Sequence, residues 1–369
     1  MQFINPSFIN EFKTEFFDEW FENKINGIVL NDLYSRVGNG HCYTDTERQF
    51  CEKILSMARV IVSLDYNGRR NFLNHDLTIE KELLILDFPK QLEILKQNRE
   101  RQRSERNRNE FLGEINKLLM SFCLGSITGN QSIRAMYQEA NNVFQKAFSR
   151  KAVWRVLEKI FDYQDFSDRF RVLFIERSQV SVCPYCNRSF ITRYIKDGHP
   201  RYTGDLDHYY CKSLYPFFAV NLWNLIPVCG VCNERLKLNH DNYKCEILYP
   251  YKRWEDEILS FYPQLTQDGF SFENPDDFVV QLTTDGVRSS NSNDLFCLKD
   301  IYQSHKEIVT RIAFLDRIIT RRLCNEIAIL VGEPKITAND VMKEMLKLKY
   351  CDGKSGILSK FSHDISAFL

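Results

Sequence analysis

The sequence has no apolar run approaching the ~18 residues of a membrane-crossing helix, which excludes the ordinary transmembrane class. It also lacks net charge. Lys plus Arg and Asp plus Glu number 49 each, so the chain as a whole has no general attraction to a polyanion, and any nucleic-acid contact has to come from a local patch. The stretch Met1 to Phe12 has no basic segment leading into an apolar core, so no secretory signal is expected and the protein is expected to be cytoplasmic. No internal repeat, low-complexity tract or base-reading module is present. Gly353-Lys354-Ser355 looks like the end of a phosphate-binding loop. The position five residues earlier is Leu348, where that loop needs glycine, and the preceding pattern is helical, so a nucleotide site of this kind is excluded.

What is present is an ordinary globular composition, 44% hydrophobic and 27% charged over 369 residues, long enough for two or three packed units. The pattern predicts an α+β, mostly α fold, with helices to about residue 180, β-rich runs from about 181 and mainly helix again beyond about 250. The expected domains are a helical region 1–164, a core 165–252 and a mainly helical region 253–369. Phe8, Phe12, Phe16, Trp20 and Phe21 recur at helical spacing, and Thr44 with Glu47 has the spacing of a capping box. Pro89 interrupts a helical segment that resumes after it. Asn98 to Glu110 holds no apolar residue and five arginines, Arg99, Arg101, Arg103, Arg106 and Arg108, with glutamates among them; it reads as a solvated helix or linker, or as an arm gripping phosphate.

Asp197-Gly198 between two β-rich runs predicts a hairpin. An aromatic loop over 213–229 and a short helix from Cys232 follow. Further on come strand-like runs such as "DFVVQLTT", a polar link "RSSNSND", one long helix over about 300–331 and another from Thr337. The long helix is carried by Ile301, Ile308, Ile312, Leu315, Ile319 and Leu323.

Of twelve cysteines, eight are scattered (Cys42, Cys51, Cys123, Cys211, Cys245, Cys297, Cys324 and Cys351) and read mostly as small buried hydrophobes. The other four form two pairs, Cys183-Pro-Tyr-Cys186 and Cys229-Gly-Val-Cys232. A thiolate pair two residues apart can grip a metal from a tight turn, and a second pair completes a tetrahedron. Chance clustering of core cysteines and a redox dithiol are the alternatives; the second wants a βαβ context that is missing. Four protein thiolates make a closed site, so the zinc expected here is structural.

Between the pairs lies Asp207-His208. Adjacent residues of a regular strand face opposite ways, so the two cannot both turn to one ion. A division of labour fits: Asp207 binds a hard divalent cation and His208 acts as general base. Asn224 follows His208 by sixteen residues and Asn233 follows Asn224 by nine, immediately after Cys232; Lys237 and His240 lie four and seven residues beyond Asn233. Residues 183–244 hold eight Lys/Arg against five Asp/Glu, a local excess suited to a phosphate substrate.

Asp207-His208, Asn224 and Asn233 at these spacings, enclosed by "CPYCNR" and "NLIPVCGVCN", with "LDHYYCKS" and "LYPY", resemble the HNH endonucleases. The closest resemblance is to a branch that works with ATPase partners in bacterial antiphage systems, the Septu type and related retron effectors. It is specific over about 165–250, weaker over 297–369, where "GILSKFSHDI" is similar to that branch's closing segment, and absent before 150. The resemblance implies a zinc-stapled ββα-metal HNH nuclease core between helical flanks that cuts nucleic acid, with DNA favoured over RNA and the choice left open by the sequence. It implies Asp207 and Asn233 as ligands of catalytic Mg2+ or Mn2+, His208 as base and Asn224 as a brace for the histidine loop. Lys237 or Arg235 is then the phosphate contact; His240 reads as a surface histidine just past the helix, or else as a ligand replacing or supplementing Asn233. An ATPase partner is implied, docking on the flanks and foremost on 297–369; no membrane is. Two positions depart from the pattern: Cys211 stands where proline is common, and the basic residue usual three positions after Asn233 is missing. A non-catalytic zinc-stapled module binding nucleic acid or protein would explain the cysteines equally well, but not Asp207-His208 and the asparagines.

Overall fold

In a computed structural model of the chain, which describes residues 3–38, 40–74, 88–99, 105–121, 124–128, 132–266, 274–332, 335–337, 340–341 and 358–368, the N-terminal helical periodicity becomes a succession of helices. These are α1 (Ser7–Phe12), α2 (Asp18–Asn26), α3 (Leu30–Val37), α4 (Asp45–Ser56), α5 (Ala58–Ile61), α6 (Tyr66–Asn74), α7 (Phe88–Arg99), α8 (Glu105–Ser121), α9 (Ile133–Ala147), α10 (Arg150–Ile160) and α11 (Tyr163–Ser178). A π-helical turn, Lys13–Phe17, joins α1 to α2. The chain divides into two compact units. One comprises residues 18–163 and 216–221; the other comprises 1–17, 164–215 and 222–369.

The first unit is helical and held by aromatic packing. Phe50 of α4 meets Phe148 and Trp154, and Phe88 stacks on Phe144 with ring centres 4.4 Å apart. Thr44 caps α4 in a full capping box, and the buried Glu47 carboxylate accepts from the backbone of Thr44 and Ser149 and bonds the His41 ring. The insert 216–221 belongs here because Phe217 and Phe218 pack on Phe72, while Asn221 donates to the carbonyls of Ile61 and Leu64. Pro89 is the second residue of α7, in the first turn, where a missing N–H costs nothing, so it opens a helix rather than breaking one.

The arginine-rich segment is engaged within the protein where it is described. Arg99 pairs with Glu110 and Glu114, and Arg106 with Glu110. This is the solvated-helix reading. Arg101 and Arg103 lie outside the described residues, as do Cys123, Cys351 and Gly353-Lys354-Ser355.

In the second unit Phe8 and Phe12 pack edge-on against Phe174 of α11. Three two-stranded antiparallel sheets follow: β1 (Arg193–Lys196) with β2 (His199–Tyr202), β3 (Gly204–His208) with β4 (Leu225–Cys229), and β5 (Ile258–Leu265) with β6 (Phe278–Asp285). The hairpin turn at Asp197-Gly198 has positive φ at both residues, as a tight two-residue turn between twisted strands needs. Part of the expected aromatic loop is strand β4.

Beyond β6 run α12 (Val287–Phe296), α13 (Leu298–Ile301), α14 (Lys306–Ile318), α15 (Arg321–Val331) and α16 (Ser359–Phe368). The predicted polar link is α12. Its serines satisfy themselves locally, Ser289 on the Asp285 carbonyl and Ser292 on the Arg288 carbonyl. The helix start is served by the distant Glu257 carboxylate, which accepts from the Ser289 N–H. The predicted long helix is broken twice, by a 3₁₀ turn at Tyr302–His305 and at Thr320, whose hydroxyl caps α15. Ile312, Leu315 and Ile319 still share a buried stripe. Among the described residues no helix is long and apolar enough to cross a membrane.

Candidate functional site

The two cysteine pairs converge. The sulfurs of Cys183, Cys186, Cys229 and Cys232 lie within 4.8 Å of one another and all four residues are buried. Tetrahedral zinc with bonds of ~2.3 Å separates its sulfurs by ~3.8 Å; the Cys186 and Cys229 sulfurs are 3.9 Å apart. The donor set and spacing therefore suit a metal such as zinc. The first pair sits in a turn closed by the Asn187 N–H on the Cys183 carbonyl, with Asn187 at φ 51° and the Arg188 N–H directed at the Cys186 sulfur. The second pair joins the last residue of β4 to the start of a π-helical turn, Val231–Lys237. Neighbouring thiols, Cys183 foremost, hold Cys186 and Cys229 below the usual thiol range, while burial above all pushes Cys183 up and the neighbouring thiols push Cys232 up. Thiolates are what a metal requires.

Asp207 and His208 end β3, opposite Ile226 and Leu225 of β4. At the start of that strand Gly204 approaches the partner so closely that a Cβ would sit 2.7 Å from the Val228 carbonyl oxygen. Arg171 of α11 ties the same strand by donating to the Gly204 carbonyl and the Asp205 carboxylate. The Asp207 carboxylate is buried and doubly engaged: the Lys237 ammonium donates to one oxygen at 2.9 Å, and the Tyr185 hydroxyl to the other at 2.7 Å. Burial and the Asp207 charge push the Tyr185 hydroxyl well above the usual phenol range, which keeps it a donor.

Lys237 reaches Asp207 because of the π-helical turn. Its last backbone bond runs from the Leu238 N–H to the Asn233 carbonyl, five residues back, and Leu238 ends it at φ 48°. The wider turn carries one extra residue, and Lys237, four positions after Asn233, is turned inward by it. The expectation that Lys237 contacts phosphate does not fit this geometry, since its side chain is 1% exposed and its ammonium is held by Asp207 and the His208 carbonyl. Arg235 is exposed.

Three successive carbonyls at the end of β3 are each fixed by a buried side chain. Lys237 donates to that of His208, Asn242 to that of Tyr209 and Asn224 to that of Tyr210, at 2.8, 2.6 and 3.0 Å. The Asn224 amide oxygen also accepts from the Tyr210 N–H, and its backbone oxygen from the Tyr209 N–H, both at 2.8 Å. Asn224 thus binds the loop directly behind His208. Asn233 is half-buried at the start of the π-helical turn, and among the described residues its side chain makes no hydrogen bond. The His240 ring bonds the Cys245 carbonyl, and no contact among the described residues brings it to Asp207. Cys211 sits beyond His208 with its sulfur on the Asn239 amide oxygen and the Ser213 hydroxyl.

Asp207 and Asn233 offer the oxygen donors that a hard divalent cation takes. A carboxylate has about four acceptor positions, so Asp207 keeps two beside its present partners. An ion there would have to share Asp207 with Lys237 or displace it, and among the described residues no hydrogen bond ties Asn233 to Asp207. Tyr185 and Asn242 were not singled out from the sequence. Tyr185 could have been, as it lies inside the first cysteine pair; Asn242 gives no signal without the fold. No family model matches the chain, and neither does any curated protein or solved structure.

Proposed function

We propose that the protein is a metal-dependent endonuclease of the HNH type that hydrolyses phosphodiester bonds in DNA, with a structural zinc in the four-cysteine cluster. The observation that carries this reading is the strand–strand–helix order of β3, β4 and the π-helical turn, with Asp207-His208 closing the first strand and Asn224 pinning the loop behind the histidine. A base that must meet a water in line with a phosphate needs its backbone fixed, and the three held carbonyls do this. Asp207 and Asn233 hold the catalytic Mg2+ or Mn2+, which when bound supplies charge to the scissile phosphate and the leaving oxygen. His208 takes the proton of the attacking water, a contribution of roughly 10²- to 10⁴-fold. Tyr185 and Lys237 orient Asp207, and Arg235 is the exposed cation on the helical side available to phosphate.

The sequence resemblance extends the reading to an effector of bacterial antiphage defence acting with an ATPase, docked foremost on residues 297–369. Co-expression with the neighbouring gene product and size-exclusion chromatography test that part; a protein that co-elutes with nothing and digests DNA efficiently alone counts against it. One observation favours the second reading, a non-catalytic zinc-stapled binding module: the Asp207 carboxylate is buried and already balanced by Lys237. Plasmid, linear DNA and total RNA incubated with Mg2+ and with EDTA separate the two. Metal-dependent cutting that His208→Ala abolishes supports the nuclease, and binding without cutting supports the module.

A further inference from the structure

The β1–β2 ribbon takes no part in the site described above, and one of its faces is exposed on both strands. Tyr194 pairs with Arg201 and Lys196 with His199, so these four side chains share one face; Ile195 with Pro200 and Arg193 with Tyr202 form the other. Every residue of β1 is exposed, and so are His199 and Arg201 of β2, whereas Pro200 and Tyr202 are half-buried. The exposed face therefore carries Tyr194, Lys196, His199 and Arg201 and no acid. Over residues 187–203 the only acidic residue is Asp197, in the turn. Arg188 is engaged by His305 and Ser304, but among the described residues Lys196 and Arg201 have no ion pair or hydrogen bond. In a chain of zero net charge this is a local concentration of unbalanced cations.

The ribbon is also rigidly rooted. The Thr192 N–H donates to the Thr203 hydroxyl, the Thr203 N–H to the Thr192 carbonyl and the Ile191 N–H to the Ser181 carbonyl. Thr203 leads directly into β3, whose last residue is His208.

We infer that this ribbon is a duplex-DNA grip, its Lys196–Arg201 face set against the phosphates of the substrate. A two-stranded antiparallel ribbon is one of the elements that the major groove of B-DNA admits, and Lys and Arg on its face neutralise the flanking backbone. Arg201 precedes His208 by seven residues, at most ~25 Å of extended chain, so the grip falls within about seven base pairs of the cut. The nature of the ligand rests on the nuclease reading above, whereas the existence of a polyanion-binding face does not.

The test is binding of a labelled 30-base-pair duplex by full-length His208→Ala protein, followed by fluorescence anisotropy over a series of salt concentrations. Adding Lys196→Ala and Arg201→Ala is expected to weaken binding at every sequence and to lower the log–log salt slope by about two. Adding Lys244→Ala instead, an exposed cation outside the ribbon, leaves binding by the ribbon intact. An unchanged slope in the ribbon variant, no duplex binding at all, or tighter binding of single-stranded DNA or RNA than of duplex overturns the inference. Parallel cleavage by wild-type protein keeps the two readings apart. Cutting with an unaltered ribbon-variant slope sinks the grip alone, and ribbon-dependent binding without cutting sinks the nuclease alone.

Discussion

The helical unit and the cysteine-framed region are held by different forces. Around Phe50, Phe148 and Trp154 the helical unit relies on aromatic rings packed at helical spacing, so its cohesion is spread over many apolar contacts. Around Asp207 the strands are only five residues long; Leu206, Ile226 and Val228 are buried there too, and to that packing are added point attachments: four thiols, one ammonium, one phenol, one guanidinium and two amides. The difference teaches that the region placing the candidate site depends on groups that can each be removed singly.

Metal removal sharpens the contrast most. About one zinc per chain is expected by metal analysis. Stripping it, or Cys183→Ser or Cys229→Ser, removes a term that reaches about 10–16 kcal/mol in zinc-finger peptides. The second unit should then lose protection from proteolysis while the helical unit keeps its helical circular dichroism. Metal-free protein with an unchanged melting curve breaks the comparison.

The next effect is at Lys237. Lys237→Met leaves the buried Asp207 carboxylate without its cation and is expected to cost about 3–5 kcal/mol in denaturant unfolding, with part of the loss recovered in the Asp207→Asn, Lys237→Met double variant. Equal stability of Lys237→Met and wild type would show that the ammonium does not sit on Asp207. In the helical unit Thr44→Ala removes one cap and costs only ~1 kcal/mol by the same measurement.

The smallest effect is with pH. Burial, and then the Arg188 guanidinium, hold His305 below its ordinary value of 6.5, and the neutral ring accepts from Arg188 at 2.8 Å. The unfolded chain therefore takes up the proton first. The stability from this pair is fully present above the ordinary histidine value and is lost as pH falls through the lower, folded value. His305→Gln should flatten the acid side of the stability profile between those two points; an equally steep profile removes His305 from the account.

Much of this was legible in the residues. The paired cysteines, the Asp197-Gly198 turn and the Thr44–Glu47 box are short-range signals, and each lies where its local chemistry puts it. The break at Thr320 and the helix over Val287–Phe296 were hidden for different reasons. Thr320 interrupts an apolar stripe that itself continues, and α12 is a serine-rich helix whose start is served by Glu257, far back along the chain. At the candidate site the sequence marks Asp207, His208, Asn224 and Asn233 as candidates, while its placing of Lys237 on phosphate does not fit the buried side chain. The π-helical turn changes the spacing rule on which a helical face is counted, and only the fold shows that the extra residue turns Lys237 inward to Asp207.

Plasmid nicking by purified protein tests whether β3 presents His208 as a general base to a phosphodiester. Wild type with Mg2+ or Mn2+ should convert supercoiled plasmid to nicked or linear form and EDTA should stop it. His208→Ala, with zinc content and melting temperature unchanged, should lose at least about 10²-fold in rate. A His208→Ala protein that nicks at the wild-type rate contradicts the account.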